Sequence, residues 1–483
     1  MYVVHLLVVA LLASATALYS APLNAQEFAL EQKPSVTVPA FSEQELLPGG
    51  KATASRTAKR TFIHPAGNIP TIEQLDFWDG FSFFRDPWVA SPAITSDRDG
   101  LGPLFNARSC KACHNDGGRG RLNRSGEYAS PALLFRLLKN DGVGADKHYG
   151  GQLQPNAIRL SHHKLTKPVI GEGKVRVEYQ IIKGEYPDGS TYSLRKPSYH
   201  LEQLGYGKLE PNTVLSPRYA PAIYGMGLID AISEQDLLAQ QDFDDLNGDG
   251  IKTQYNMVKN AQTGQLQIGR FGFKGLHATL EQQVAGAFVN DIGITNPIFP
   301  EEACTDVQLM CRTAASVDPK GTLDIPKKLH DLTVYMNKTL AVPKARDLTS
   351  ERAQQGRTLF YQLRCDSCHT PTYKTRPDYP IAALQAQQIY PYSDFALHDM
   401  GKELADEGIE NLASGAQWRT PPLWGIGLQK RVQGFEAYLH DGRARTLEEA
   451  ILWHGGEAHE IKKHFMNLSA KQRSALIYFL QQI

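Results

Sequence analysis

The sequence predicts a mainly α protein made of two copies of one unit, with a small β-hairpin inserted in the first copy. Three observations carry that prediction: a pentapeptide that occurs twice, matched surroundings at its two occurrences, and apolar residues at helical spacing where each copy ends. The pentapeptides are Cys110-Lys111-Ala112-Cys113-His114 and Cys365-Asp366-Ser367-Cys368-His369. Two cysteines one turn apart, followed at once by histidine, form the pattern that tethers a c-type haem. The sulfurs bond the two vinyl groups and the histidine ligates the iron. A redox dithiol or a structural zinc site uses the same residue types, but zinc sites rarely place histidine directly after the second cysteine. The units are therefore expected to be two tandem cytochrome-c-like haem domains. Each would carry one covalently bound haem c, through Cys110, Cys113 and His114 or through Cys365, Cys368 and His369.

The surroundings repeat in order. Leu104-Phe105 and Leu359-Phe360 precede the cysteines by the same spacing. Pro221-Ala222-Ile223-Tyr224-Gly225-Met226-Gly227-Leu228 mirrors Pro421-Pro422-Leu423-Trp424-Gly425-Ile426-Gly427-Leu428, and Gly275 to Glu281 mirrors Gly442 to Glu448. His114 and Pro221 are 107 positions apart, His369 and Pro421 only 52, so the first copy carries about 55 extra residues. Within them, alternating apolar residues from Val175 to Ile181 and from Tyr186 to Leu194 flank Pro187-Asp188-Gly189, which reads as a hairpin turn. Helical spacing of Leu329, Leu332, Tyr335, Met336 and Leu340 stops before Pro343, the expected joint between copies. Ser469 with Gln472 reads as a capping box that opens a terminal helix.

Composition bounds the rest. The chain has 483 residues, 42% hydrophobic and 21% charged, with 51 basic and 51 acidic residues, enough for two or three compact domains. Zero formal charge and the lack of any basic run give no support for nucleic-acid binding. After Tyr2-Val3-Val4-His5, residues 6–13 are apolar and small residues follow, with cleavage expected after Ala17 or Ala25, as in a secretory signal peptide. No Lys or Arg precedes that core, so an uncleaved anchor is the alternative. The expected division is 1–25 signal peptide, 26–342 N-terminal unit and 343–483 C-terminal unit, with a periplasmic or secreted location and no integral membrane span once the signal is removed. Cys304 and Cys311 are expected to form a short-loop disulfide there.

Two other patterns could hold or flank ions. Asp245, Asn247 and Asp249 fit the opening of a calcium loop, although Asn256 stands where the closing acid belongs; a solvated acidic turn is the alternative. His454, His459 and His464 follow the second copy and read as surface histidines.

At these residues the chain resembles the bacterial di-haem cytochrome c peroxidase superfamily. More closely, it is similar to the di-haem oxidoreductase branch of peroxidase or thiol-oxidoreductase type. The specific stretches are Asp99 to Asn106, Thr279 to Gly286, Leu397-His398-Asp399-Met400-Gly401 and Leu439-His440-Asp441-Gly442-Arg443. The resemblance implies that the C-terminal haem takes up electrons and has two axial ligands. The N-terminal haem meets hydrogen peroxide, and an acid in a Leu-Glu-x-Gln segment moves the proton. Glu281 falls on that acid; the alternative is a carboxylate favoured by a helix start, as at its twin Glu448. Three positions depart from the superfamily. Phe271 replaces a glutamine ten residues before the acid, and Gln417 replaces the methionine expected before Trp418-Arg419-Thr420-Pro421. No histidine lies between His114 and His148 to block the first iron. Met400 or His398 is the expected substitute sixth ligand; the alternatives are core filling for Met400 and a bond to a haem propionate for His398.

The expected function is thus an exported di-haem c-type oxidoreductase of peroxidase type. A small redox donor protein (a cytochrome or a cupredoxin) would supply electrons, and hydrogen peroxide or another small oxidant would take them. The alternatives are a non-enzymatic electron-transfer cytochrome and a haem enzyme oxidising an organic or protein substrate.

Overall fold

A computed structural model of the chain describes residues 37–56, 59–159, 167–315 and 323–483. The expected signal peptide lies outside the described residues. In chain order the helices of the first half are α1 (Glu73–Arg85), α2 (Cys110–Cys113), α3 (Met226–Asp230), α4 (Glu234–Leu238), α5 (Leu280–Ala287), α6 (Leu309–Ala315) and α7 (Lys327–Thr339). Those of the second half are α8 (Glu351–Gln362), α9 (Gln429–Gln433), α10 (Leu447–Trp453), α11 (His459–Asn467) and α12 (Ala470–Gln482). Residues Val38–Ile483 form one compact unit.

Glycines show where the halves repeat. Gly80 lets α1 cross α7 so closely that a Cβ there would stand 2.1 Å from the Leu332 carbonyl oxygen. Gly356 does the same for α8 on α12, 2.1 Å from the Ala475 oxygen. Gly225 and Gly425 sit at φ 75° and 70°, a region open to glycine at low cost, and their N–H groups donate to Leu340 and Ile483, each at 2.9 Å. The Gly-x-Gly doublets thereby dock on the last turns of α7 and α12. Thr279 and Thr446 cap α5 and α10, each accepting from the backbone N–H three residues on.

One sequence match does not survive. Leu104–Phe105 is a short strand paired with Asn156–Ala157, whereas Leu359 and Phe360 lie in α8. The true counterparts, counted from Gly80 and Gly356, are Phe83 and Phe84. Phe84 stands 6.4 Å from the His114 ring, and Phe360 stands 6.4 Å from the His369 ring.

The expected mainly α class is also corrected: the chain is 30% helix and 18% strand. Six two-stranded antiparallel sheets occur among the described residues. Most pairs are two or three residues long, made where irregular segments cross, and so short a stretch carries no readable period. The hairpin was legible but underestimated. Lys174–Glu185 pairs with Thr191–Glu202 over twelve residues each, and a second pair joins Leu133–Lys139 to Thr213–Tyr219.

That hairpin fastens the halves together. Arg195 donates to the Arg443 and Gly442 carbonyls at 2.9 and 2.8 Å, and Arg473 of α12 reaches Asp188 in the hairpin turn at 2.8 Å. Beneath it, buried cations of the first half meet buried acids of the second. Arg218 pairs with Asp406 and Glu410 at 3.0 and 2.9 Å, and the fully buried Lys274 lies 3.4 Å from Asp406. Trp418 lies between this network and His440, with the Lys274 ammonium 4.3 Å from its ring centre and the His440 ring stacked at 3.6 Å. Cys304 and Cys311 form the expected disulfide, with Cα atoms 5.8 Å apart. No helix among the described residues is long and apolar enough to cross a membrane.

Candidate functional site

Each pentapeptide closes a single turn that carries its histidine. The N–H of His114 donates to the Cys110 carbonyl and that of His369 to the Cys365 carbonyl, both at 2.9 Å. Both imidazoles are then oriented alike. His114 Nδ1 donates to the Pro221 carbonyl at 2.7 Å, and His369 Nδ1 donates to the Tyr392 carbonyl at 3.0 Å. A carbonyl can only accept, so the proton sits on Nδ1 and Nε2 keeps its lone pair, the tautomer a metal ligand needs. Burial pushes both rings down to about 4, which keeps them neutral; for His369 the next influence is His454.

No disulfide joins the four motif cysteines, and burial pushes Cys110 and Cys365 up to about 12, with Cys113 and Cys368 also raised. Dithiols that exchange disulfides have lowered values instead. The donor set (two protonated thiols and a neutral histidine with Nε2 free) therefore fits haem attachment better than redox exchange. It also lacks the four-ligand closure of structural zinc.

Beside the first motif, α5 brings up the acid. Val284 of α5 and Cys110 border the same two apolar clusters. Glu281 is the second residue of the helix, half-buried, and accepts from Gln262 Nε2 at 3.0 Å. Across from it on α7 stand His330 and Asp331, their ligand atoms all within 4.8 Å of one another and of a Glu281 oxygen. The His330 ring is buried and neither nitrogen has a hydrogen-bond partner. Burial lowers its pKa and the Glu281 charge raises it. The twin acid is placed differently: Glu448 accepts from Tyr186 Oη at 2.8 Å, and the Arg473 guanidinium covers that tyrosine at 3.8 Å. Phe271, at the position of the superfamily's glutamine, is buried in the core.

The residues expected around the second motif share one strand pair: Leu397–Asp399, which Met400 follows, runs antiparallel to Gln417–Arg419. His398 is buried, with Nε2 2.7 Å from Asp394 and Nδ1 2.8 Å from Glu457, so as placed neither ring nitrogen is free for iron. Asp394 N–H in turn donates to the Cys368 carbonyl at 2.9 Å. Met400 is half-buried and its N–H donates to Ala416 at 3.0 Å. Gln417 is held by Ser414 and Gln254.

The acidic loop opens towards the same motif. Asn247, Asp249, Arg364, Asp366 and Asp394 line a cavity of about 270 Å³. Oxygen donors of this type suit a hard cation. In this structure, however, Asp245 accepts from the Gly250 N–H, Asn247 from the Asp249 N–H, and Asp249 pairs with Arg364 at 2.9 Å.

Sequence reading missed His454. It caps the C-terminal end of α10, is half-buried rather than at the surface, and donates Nδ1–H to the Ala450 carbonyl at 2.7 Å. It also missed Asp291, which accepts from Gln152 at 2.7 Å beside the first motif and which burial raises to about 6.

Two thiol–histidine sites of matched construction, each with a histidine offering a bare Nε2, define a di-haem redox protein. The chain belongs to the di-haem oxidoreductases: it matches the family described as "Di-haem oxidoreductase, putative peroxidase" over residues 46–130 and 147–483. Among solved structures it is similar to hydrazine synthase of Kuenenia stuttgartiensis, at 16% identity and a TM-score of 0.23, over 39% of this chain and 65% of that one. No curated protein matches it.

Proposed function

We propose that this chain is an exported c-type peroxidase. Electrons from a small redox donor protein, a cytochrome or a cupredoxin, enter at the haem on Cys365, Cys368 and His369 and reduce hydrogen peroxide at the haem on Cys110, Cys113 and His114. The haems supply the redox chemistry. The chain's own residues supply position and protons. Pro221 and Tyr392 hold the two proximal imidazoles as neutral ligands, and Glu281 carries the proton from the inner to the outer peroxide oxygen. Two electrons and two protons convert one peroxide to two waters, so two linked haems match the stoichiometry.

The observation that carries this reading is the contrast between Glu281 and Glu448. Glu448 is tied to a tyrosine and backed by an arginine, while Glu281, which accepts from Gln262, lies within 4.8 Å of a buried imidazole whose nitrogens make no hydrogen bond. A carboxylate with a second proton carrier beside it suits proton delivery; one locked to Tyr186 suits structure alone.

Two measurements test the proposal. Intact mass of the exported protein should show two covalently added haems. The ferric protein should then change its optical spectrum on adding one equivalent of peroxide and consume peroxide steadily with a reduced cytochrome or cupredoxin. Two low-spin haems indifferent to peroxide would instead mark an electron carrier.

A further inference from the structure

On the assumption that the second motif carries the electron-accepting haem c of the proposed function, with two axial ligands, one residue near that motif is built like the proximal histidines. We propose that His454 is the second axial ligand of that iron, and that its first-copy twin, Ala287, leaves the first iron open on the same side.

The hydrogen bonds give the first reason. His114, His369 and His454 each donate Nδ1–H to a backbone carbonyl, at 2.7, 3.0 and 2.7 Å, and so each presents a bare Nε2. The other buried histidines differ. His398 spends both nitrogens on carboxylates, His440 lies flat on Trp418, and His277 and His330 have a Nδ1 without a partner. His148 makes a similar bond to Lys208, but does so at the surface.

Placement gives the second. The turn after His454 is clamped onto the strand Leu397–Asp399. A Cβ on Gly456, at φ 53°, would meet the Asp399 oxygen at 2.1 Å, and Glu457 binds both the Asp399 N–H and His398. His398 holds Asp394, whose N–H reaches the Cys368 carbonyl. Three short links thus join the His454 turn to the second motif.

The duplication gives the third. Thr279 and Thr446 are equivalent caps, and eight residues beyond them stand Ala287 and His454. A methyl group cannot ligate iron. The two sites are therefore unequal by one substitution: the second has two histidines, the first has one and a nearby acid.

The test uses the purified di-haem protein. Intact mass is read first; an apoprotein mass overturns the haem reading and this assignment with it. With both haems present, His454→Ala should convert one low-spin ferric haem to high-spin in the optical and electron paramagnetic resonance spectra, and added imidazole should restore it. A spectrum identical to wild type overturns the assignment and leaves the haem reading standing. Should His454→Ala fail to load haem, His454→Met serves. A new sulfur-to-iron charge-transfer band supports ligation at this position, and an unaltered spectrum overturns it.

Discussion

Glu281 and His330 belong to different helices, yet a carboxylate oxygen of the one and a ring nitrogen of the other lie within 4.8 Å. Neither α5 nor α7 would bring them together alone; Gly80, by letting α1 press on α7, helps fix where His330 falls. If this pair serves the peroxide proton, Glu281→Gln should slow peroxide consumption by about one hundredfold while both haems stay bound. Glu448→Gln, at the locked twin, should leave the rate within about twofold, and steady-state peroxide assays on the two variants check the contrast.

Ala287→His provides the complementary experiment. A histidine at the twin of position 454 would offer the first iron a sixth ligand. The expected outcome is a fully low-spin ferric spectrum and abolished peroxide consumption, with the two-haem mass unchanged.

The buried ion network predicts a stability effect. Asp406→Asn removes the carboxylate shared by Arg218 and Lys274, both almost wholly buried. Leaving buried charge without its partner typically costs about 3–5 kcal/mol. Thermal unfolding should show a large drop in Tm, partly recovered when Lys274→Met is added, because the stranded ammonium is then gone.

Glu172 predicts a pH dependence. It is buried, accepts from the Gln154 N–H at 2.5 Å and from Gln308, and burial pushes it from the usual 4.5 up to about 8. Below the lower value the carboxyl is neutral in both folded and unfolded chains. Between the two values the unfolded chain ionises while the folded one stays protonated, so stability falls as pH rises; above the upper value the loss is complete. Glu172→Gln should remove this slope. Its Tm should gain on wild type by a few degrees between about pH 5 and pH 8, as read by calorimetry across that range.

What the sequence made legible was whatever lies within a few residues of itself. The two pentapeptides, the Gly-x-Gly doublets, the Thr279 and Thr446 caps and the capping box at Ser469 are local signals with local causes, and the structure keeps each. The error at Leu104-Phe105 arose because spacing was counted from the cysteines. Thirty positions separate Gly80 from Cys110 but nine separate Gly356 from Cys365, so an insertion hid the true counterpart, Phe84. The short strand pairs could not be read, since segments distant in sequence make them. His454 looked like a surface residue because the turn that follows it packs on Leu397–Asp399, a strand distant in sequence. A signal did exist: the register that aligns Glu281 with Glu448 sets His454 opposite Ala287.

The wiring of charge across the molecule has a consequence for its making. Arg136, Arg218 and Lys274 come from one side of Pro343, and the acids that neutralise them, Asp406 and Glu410, from the other. A gene severed at that proline would yield one fragment with stranded cations and one with stranded anions. Each piece is expected to fold less stably than the same residues do within the whole chain, because buried charge is left without its partner.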